Sequence, residues 1–407
     1  MEKKEITTEK MPIKMWLEEI EDGAMEQIKN IANLPFVYKW VAVMPDSHQG
    51  YGMPIGGVVA LENVISPNMV GKDIGCGMCA VNTHIPADEV PQEVLKEILG
   101  EIRKTVPLGF AHHDKAQDKS LMPIRSLGDL SEMAVVTEEY SNALTQLGTL
   151  GGGNHFIELQ RSDKGELWIM IHSGSRNLGS KVADFYDKVA VDLAKKWHIP
   201  NVIEQEITYL PVDTKEGKNY IKEMQYCIDF AFANRKLMMD RVTQIIKNIM
   251  VADKNSVSTI GDEFEFDPMI NIAHNYASLE NHMGRNVWVH RKGATRAYKD
   301  EVGIIPGSMG TKSYIVKGLG NVQSFMSCSH GAGRAMSRSQ ASKELTLEEV
   351  EKAMEGIVYG RWGKDRKGRT DFGEAPQAYK DIDIVMENQK DLVEIITELK
   401  PLAVVKG

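Results

Sequence analysis

The stretch GTLGGGNHFIEL, residues 148–159, contains the pattern that predicts both the fold and the site. A glycine turn precedes a histidine, and an apolar segment of the β-strand type begins there. A histidine at a strand end points from a rigid sheet into loops, where sites are built. The 35 glycines cluster in further stretches, most of them beside a His, Asp or Cys: GYGMPIGG, DIGCGM, HSGSRNLG, PGSMG and SHGAGR. We therefore expect a site built from glycine-rich loops at strand ends.

The composition limits the class of protein. The chain has 407 residues, of which 42% are hydrophobic and 26% charged, as in an ordinary soluble globular protein. The sequence contains no apolar run of about 18 residues, so a membrane span is not expected. The charged start does not resemble a secretory signal. Four cysteines are too few for a disulfide scaffold, so we expect a cytoplasmic protein. The net charge of -9 argues against nucleic-acid binding by bulk charge, although a local basic groove stays open.

Strand and helix patterns alternate irregularly along the chain. The apolar patterns predict strands over 36–44, 57–65 and 78–84, and helices over 91–106, 181–197 and 219–252. This order lacks the rhythm of a βαβ protein. We therefore predict an α+β fold, a single large mixed unit with short strands and helices.

Three of the eleven histidines lie at predicted strand ends and are candidate ligands: His155, His172 and His274. His290 lies in mid-strand and is a candidate for the core. Five others lie in polar or helix-end settings, where we expect surface residues: His84, His112, His113, His198 and His282.

The segment DIGCGMCA, residues 73–80, adds a carboxylate and a thiol. Asp73, Cys76 and the three histidines would suit a borderline divalent cation such as Mn²⁺, Zn²⁺, Fe²⁺ or Co²⁺. A structural zinc site would need a second ligand pair, which is missing, and Cys79 falls in the apolar strand pattern of the core. The residues alone leave a metal site and a buried turn equally open.

Two further stretches bear on phosphate chemistry. SCSHGAGRAMSR, residues 327–338, surrounds His330 with small residues, so this histidine is a candidate ligand, proton shuttle or nucleophile. The chain has neither the GxxxxGK[ST] loop nor a Lys-x-Asp-Gly nucleophile, so covalent activation of a nucleotide would need another group such as histidine. GRWGKDRKGR, residues 360–369, is either a solvated loop or a phosphate-binding patch with a stacking tryptophan.

Taken together, six stretches resemble the RtcB family of GTP-dependent RNA-splicing ligases: MPDSHQGYGMPIGG, DIGCGM, GTLGGGNHFIE, HSGSRNLG, PGSMGTKS and SCSHGAGR. EAPQAYKDID and the final VVKG fit as well. The resemblance covers residues 10–407 and is closest to the short bacterial type. It implies a single RtcB-like catalytic domain over 1–407.

The resemblance implies an activity. Family members join RNA ending in a 2′,3′-cyclic phosphate or 3′-phosphate to RNA with a 5′-hydroxyl, in RNA splicing or repair. The reaction runs through GMP-histidine and RNA-3′-pp-5′-G intermediates and uses GTP and two Mn²⁺ ions. The implied partners are RNA ends, such as tRNA halves or cleaved RNA, and an archease-type activator is a further candidate. We expect a monomer.

The resemblance also assigns residues. His330 matches the guanylylated histidine, Asp46 the carboxylate that orients it, and Arg334 a group that neutralises phosphates. The metal ligands match Asp73, Cys76, His155, His172 and His274, with Cys76 bridging the ions. Glu158 would read the guanine edge and Tyr379 would close over the base. The remaining GTP contacts match Asn154, His155, Phe156, Ile157, His274, Asn275, Pro306, Gly307, Ser308, Met309, Ser313, Gly331, Ala332, Gly333 and Lys406, and Arg176 is a candidate for RNA phosphates.

Two other functions compete with nucleotidyl transfer. One is a metal-dependent phosphodiesterase or phosphatase acting on RNA ends, with a vestigial nucleotide site. The other is a non-catalytic protein that binds RNA ends, which would predict losses in the metal set. The sequence retains His330, Glu158 and Lys406 and the complete metal set, which favours the ligase.

Overall fold

The computed structural model of the chain describes residues 4–123, 130–252, 265–364 and 368–407. In chain order, strands β1 to β17 span Lys4–Ile6, Ile13–Met15, Val37–His48, Ile55–Leu61, Val64–Ile65, Gly77–Pro86, Phe156–Ser162, Glu166–Ser173, Leu210–Pro211, Ile270–Ala273, Asn275–His282, Arg285–Lys292, Ala294–Arg296, Val302–Ile305, Ser313–Gly318, Ser327–Ser329 and Val393–Lys406. Helices α1 to α10 span Asp22–Ala32, Pro67–Val70, Gln92–Thr105, Ala134–Gln146, Arg176–Lys196, Pro200–Glu204, Lys215–Ala252, Arg338–Glu344, Leu347–Ala353 and Ile382–Asn388. Over these described ranges, a helix with the length and apolarity needed to cross a bilayer is absent.

Two sheets form the framework. The first has six strands in the order β1-β2-β3-β4-β12-β11, and the second has seven in the order β10-β6-β8-β7-β17-β15-β14. Strands β2 and β3 are parallel, whereas the described pairs in the seven-stranded sheet are antiparallel. Helices and strands follow one another irregularly, which confirms the predicted α+β class and the absence of a βαβ rhythm.

The seven-stranded sheet is buried on both faces, because side chains along β7 alternate between two apolar layers. Ile157 and Leu159 pack with residues of α3 and α7, such as Ile98 and Val242. Phe156, on the opposite face, packs in a cluster with side chains of β14 and β15. A sheet covered on both sides provides a rigid base for the loops at its edges.

The predicted elements are present with altered boundaries, but the strand expected over 57–65 is divided in two. Strand β4 ends at Leu61, and β5 begins at Val64 and pairs with β9 instead, because the chain turns away from the six-stranded sheet between them. The strand expected over 36–44 is β3, which continues to His48, and the strand over 78–84 is β6. The predicted helices correspond to α3, α5 and α7, of which α5 begins five residues earlier than expected, at Arg176. Cys79 is fully buried, as predicted for a core residue.

One histidine prediction is wrong. His282 is buried, with 1% of its surface exposed, and its Nε2 lies 2.9 Å from Glu280 Oε2. Glu280 also accepts hydrogen bonds from Arg291, at 2.5 Å and 3.1 Å. The polar neighbours favoured a surface position, but Glu280 pairs with both His282 and Arg291 inside the protein. His290 is fully buried, as expected.

Two predictions remain open at this level. The single domain over 1–407 stays a prediction. The basic stretch 360–369 includes residues 365–367, which lie outside the described residues, whereas Arg361 and Trp362 are described.

Candidate active site

Loops at the ends of strands from both sheets enclose one cavity that brings distant parts of the sequence together. Asp73 precedes β6, His172 lies near the end of β8, and Lys406 ends β17. The lining contains eighteen of the predicted site residues: Asp73, Cys76, Asn154, Phe156, His172, His274, Asn275, Pro306, Gly307, Ser308, Met309, His330, Gly331, Ala332, Gly333, Arg334, Tyr379 and Lys406. The cavity thus lies at the glycine-rich loops that the sequence singled out.

Two candidate sets of cation ligands at the cavity share one thiol. Cys76, His172 and His274 form one set, and Asp73, Cys76 and His155 form the other. Cys76 Sγ lies 3.3 Å from His172 Nε2 and 3.4 Å from His155 Nε2. Nε2 of His155 is 3.1 Å from Asp73 Oδ2. Cys76 therefore belongs to both candidate ligand sets.

Hydrogen bonds behind the cluster fix the orientation of two imidazoles. Nδ1 of His155 lies 3.0 Å from the carbonyl oxygen of Leu150, and Nδ1 of His172 lies 3.1 Å from that of Asn154. A carbonyl accepts a proton from Nδ1, so the lone pair of each ring is on Nε2, which faces the cluster. Burial also lowers the pKa of His172 and of His274 well below the usual value, which favours the neutral form that binds metals.

The chemistry of the donor atoms fits a divalent cation. Burial, with a smaller contribution from the charge of Asp73, raises the pKa of the Cys76 thiol well above its usual value. A bound cation would reverse this preference, because it stabilises the thiolate directly. One thiolate, one carboxylate and three neutral imidazoles together suit a borderline metal ion rather than Mg²⁺ or Ca²⁺.

His330 lies beside this cluster and is held by a buried carboxylate. Its Nδ1 is 2.6 Å from Asp46 Oδ2, and its backbone N–H donates to the same oxygen at 3.1 Å. Asp46 is fully buried, whereas 14% of the His330 side chain is exposed. The His330 and His274 rings are 4.9 Å apart, centroid to centroid. Because Asp46 accepts the proton on Nδ1, Nε2 of His330 carries the free lone pair.

Two glycines allow the backbone to approach this pair. Gly293 has φ +61°, and a Cβ there would lie 3.2 Å from the imidazole of His330 and 2.3 Å from a methyl group of Ile55. Gly333 has φ +73°, and a Cβ there would lie 2.1 Å from the carbonyl oxygen of Asp46. Any larger residue at either position would displace His330 or Asp46.

A buried glutamine holds the residue that precedes His330. The Gln389 side-chain oxygen accepts a hydrogen bond from the Ser329 backbone N–H at 2.9 Å, and its amide nitrogen donates to Ser329 Oγ at 2.5 Å. Both residues are fully buried. The pair of bonds fixes β16 against the residues that follow α10, and thereby fixes the position of His330.

A polar pocket lies behind the cavity wall near the end of β17. Glu158 is buried and accepts a hydrogen bond from Gln160 Nε2 at 2.7 Å, and the same nitrogen is 3.2 Å from Ser313 Oγ. Ser313 Oγ accepts in turn from the Gly307 N–H at 3.2 Å. Burial raises the pKa of Glu158 to about 7, against the opposing charge of Lys406. This carboxylate therefore titrates near neutral pH.

An ionic cluster around Glu374 forms another wall. Arg338 Nε lies 2.6 Å from Glu374 Oε1, Arg334 Nη1 lies 3.3 Å from the same oxygen, and Lys406 Nζ lies 3.6 Å from Oε2. The Tyr379 hydroxyl donates to this carboxylate, and the Arg334 guanidinium lies 5.1 Å from the Tyr379 ring centroid. Burial opposes the charge of Glu374, but Lys406 and the arginines outweigh it and lower its pKa to about 2.

Two predicted residues lie away from the cavity. The Ile157 side chain packs in the core behind the sheet. Arg176 is only partly exposed and donates to Thr149 Oγ1 and to the carbonyl of Gly109, each at 3.2 Å. Burial lowers the pKa of Arg176, and the nearby charge of Asp73 opposes this shift. A contact of Arg176 with RNA stays a prediction.

The sequence reasoning missed several residues that complete the site. These are His48, Gln160, Gly293, Arg338, Glu374 and Gln389. His48 and Glu374 fall inside or beside quoted stretches, PDSHQG and EAPQAYKDID, so proximity to a motif was an available signal. Burial lowers the pKa of His48 to about 4, so this residue is neutral at pH 7. Gln160 and Gln389 had no sequence signal, because their contacts depend on packing.

The arrangement defines a class of protein. Two candidate sets of cation ligands that share one thiol, beside a histidine held by a carboxylate, suit an enzyme of phosphoryl transfer. Comparison with known proteins specifies the class further. The family described as "tRNA-splicing ligase RtcB" matches residues 27–407, and the chain belongs to this RtcB family.

Relatives from bacteria and archaea match almost the whole chain. The chain is 38% identical to the RNA-splicing ligase RtcB of Escherichia coli K12, covering 99% of both chains. It is 33% identical to the tRNA-splicing ligase RtcB of Pyrobaculum aerophilum, covering 98% of this chain and 95% of that protein. For the tRNA-splicing ligase RtcB of Methanococcus maripaludis the identity is 34%, with 96% and 92% covered.

Proposed function

We propose that this chain is a GTP-dependent RNA ligase. It joins RNA 2′,3′-cyclic phosphate or 3′-phosphate ends to RNA 5′-hydroxyl ends and consumes GTP. The observation that carries the proposal is the 2.6 Å contact between His330 Nδ1 and buried Asp46, beside two ligand sets that share Cys76. The names of the relatives support an action on RNA.

His330 is the nucleophile in the first step. Its Nε2 lone pair attacks the α-phosphorus of GTP, an N–P bond forms, the bond to the bridging oxygen breaks, and pyrophosphate leaves. Asp46 keeps the proton on Nδ1 and stabilises the positive charge that develops on the ring. Arg334 and Lys406 line the same cavity and supply positive charge for the phosphates.

Two further transfers complete the reaction. Water first opens a cyclic phosphate, when one is present, to a 3′-phosphate. An oxygen of that 3′-phosphate then displaces His330 from the GMP phosphorus, giving RNA-3′-pp-5′-G and free histidine. Finally the 5′-hydroxyl oxygen attacks the RNA 3′-phosphorus, a phosphodiester forms, GMP leaves, and the hydroxyl proton passes to water.

The cysteine, the aspartate and the three histidines would hold two Mn²⁺ ions: Asp73, Cys76, His155, His172 and His274. Bound divalent cations polarise phosphoryl oxygens and neutralise their developing charge. The chain's own residues set the rest of the site. Glu158 accepts from the guanine N1–H and N2–H₂ groups, and Tyr379 covers the base.

The cellular setting is part of the proposal. All four cysteines are buried free thiols, which supports a reducing compartment such as the cytoplasm. We expect a monomer acting on tRNA halves or cleaved RNA, with an archease-type activator as a candidate partner.

Labelled GTP tests the proposal. The protein is incubated with Mn²⁺ and α-labelled GTP, and then with RNA bearing a 3′-phosphate and RNA bearing a 5′-hydroxyl. The proposal predicts a labelled protein and a joined RNA. Release of phosphate from the RNA without a labelled protein would support a phosphatase instead, and RNA binding without either reaction would support a non-catalytic protein.

A further inference from the structure

A second cavity adjoins the active site and shares Met309 and Lys406 with it. Four large side chains line its outer part, and we call this cavity the arginine chamber: Arg103, Tyr359, Arg361 and Trp362. Arg103 lies in the last turn of α3, whereas the other three lie on the segment after α9. The chamber therefore forms between two separate parts of the chain, directly beside the reacting groups.

The two arginines of the chamber are available for a ligand. Both are exposed, and neither guanidinium has a hydrogen bond or ion pair with another residue in the part of the chain that the structure describes. Two other arginines at the surface, one half-buried and one exposed, are already paired: Arg161 with Asp88 at 2.9 Å, and Arg285 with Glu62 at 3.4 Å. Unpaired guanidinium groups at a cavity mouth favour an anion, and their planar forks fit phosphate oxygens.

The carboxylates of the chamber offset this charge only in part. Glu374 is already paired with Arg338 and Lys406. Asp371 Oδ1 accepts hydrogen bonds from Ser342 Oγ and from the Gly373 N–H. Asp371 is thus the one acidic side chain of the lining outside the Glu374 cluster, whereas the lining contains two unpaired guanidinium groups.

Aromatic side chains lie next to these cations. The rings of Tyr359 and Trp362 are 5.7 Å apart and tilted, and Trp362 meets Phe372 edge-on at 5.6 Å. The Trp362 indole N–H has no hydrogen-bond partner within the described residues. Proteins that bind single-stranded nucleic acid combine cationic side chains, which contact the phosphates, with aromatic rings, on which the bases stack.

We infer that the arginine chamber binds the single-stranded RNA next to the reacting end, with Arg103 and Arg361 on its phosphates and a base against Tyr359 or Trp362. This inference rests on the proposed function, because it places the strand relative to that reaction. For the described part of the basic stretch 360–369, it favours phosphate binding over a solvated loop.

RNA binding by the double variant Arg103→Ala/Arg361→Ala tests the inference. Binding of two fluorescent single strands, one with a 3′-phosphate and one with a 5′-hydroxyl, is measured by anisotropy over a range of salt concentrations. Each lost phosphate contact should lower the slope of log affinity against log salt by about 0.7, so about 1.4 for the pair. Trp362→Leu, checked for unchanged thermal unfolding, and Tyr359→Leu test stacking; loss of the base contact should weaken binding about 5- to 150-fold.

The matched control is Arg161→Ala/Arg285→Ala, which removes the same charge from arginines outside the chamber. A loss with either strand supports the inference and identifies the strand that the chamber binds. Equal affinity and salt slope in the chamber and control variants would overturn it. GMP-protein formation needs no RNA and should stay unchanged in all of these variants, so failure of the unsubstituted protein to form it would instead contradict the proposed function.

Discussion

Replacing Asp46 by asparagine tests how His330 is activated. Asp46 Oδ2 accepts two hydrogen bonds, from Nδ1 and from the backbone N–H of His330. A hydrogen bond to a charged acceptor contributes about 1.5–3 kcal/mol, and one to a neutral acceptor about 0.5–1.5 kcal/mol. Asp46→Asn should therefore lose about 2–3 kcal/mol over the two bonds, which corresponds to about 30- to 150-fold in the rate of GMP transfer to the protein.

The expected loss in the rate of GMP transfer by Asp46→Asn is a lower limit. The asparagine amide nitrogen can face His330 instead of the oxygen, and the ring then carries its proton on Nε2, the attacking atom. An imidazole in the wrong tautomer reduces the rate of a triad-like reaction by up to about 10⁴-fold. Single-turnover rapid quench with labelled GTP, at saturating GTP and Mn²⁺, measures the step without any contribution from RNA.

Metal content and folding need to be measured alongside the rate. Asp46 is not in either ligand set, so bound manganese should be unchanged. Asp391→Asn is the matched control, because that carboxylate accepts hydrogen bonds from Trp16 Nε1 at 3.1 Å and Asn321 Nδ2 at 2.9 Å but does not line the cavity. The reasoning is refuted if folded, metal-loaded Asp46→Asn transfers GMP as fast as the control.

Three other perturbations test separate parts of the site. Cys76→Ala should abolish manganese binding and ligation without unfolding the protein, whereas the core variant Cys79→Ala should keep both; equal losses, measured by metal analysis, would remove Cys76 from the ligand set. Glu158→Gln should lower GTP use about 30- to 150-fold above pH 7. Because burial raises the pKa of Glu158 to about 7 and guanine needs the carboxylate, GTP binding should weaken as pH falls through 7; this dependence should shrink in the variant, and an unchanged preference for GTP over ATP would exclude base recognition. Gln389→Ala should lower the free energy of unfolding by about 1–3 kcal/mol, in chemical denaturation, and slow GMP transfer with metal retained; an unchanged rate would show that Gln389 does not position His330.

Local patterns in the sequence predicted the strands, the helices and the strand-end histidines. His155, His172 and His274 were identifiable because each begins or ends an apolar segment, and the sheet then brings them to the same candidate cluster around Cys76. Cys76 and Cys79 could be separated by their positions, one in a glycine turn and the other in a strand. The roles of His330 and Asp46 came from the family resemblance, since 284 residues separate them.

The remaining contacts depend on tertiary packing and have no local signal. Gln389 reaches Ser329 across 60 residues, and neither has a pattern around it that indicates the other. His282 was predicted at the surface because polarity in sequence does not show that Arg291 and Glu280 will satisfy it inside. Whether a polar residue can be buried depends on its hydrogen-bond or ionic partner. That partner comes close only when the sheets pack together, so a local sequence pattern does not identify it.

Mass spectrometry of the intact protein after incubation with GTP and Mn²⁺ tests the central claim most directly. The account predicts one added GMP, located by fragmentation on His330, acid-labile and base-stable as a phosphoramidate should be, and absent from His330→Ala. That variant should still ligate RNA already carrying the 3′-pp-5′-G cap, since the last transfer no longer needs the histidine. An adduct on any other residue, or an undiminished adduct in His330→Ala, would contradict the account.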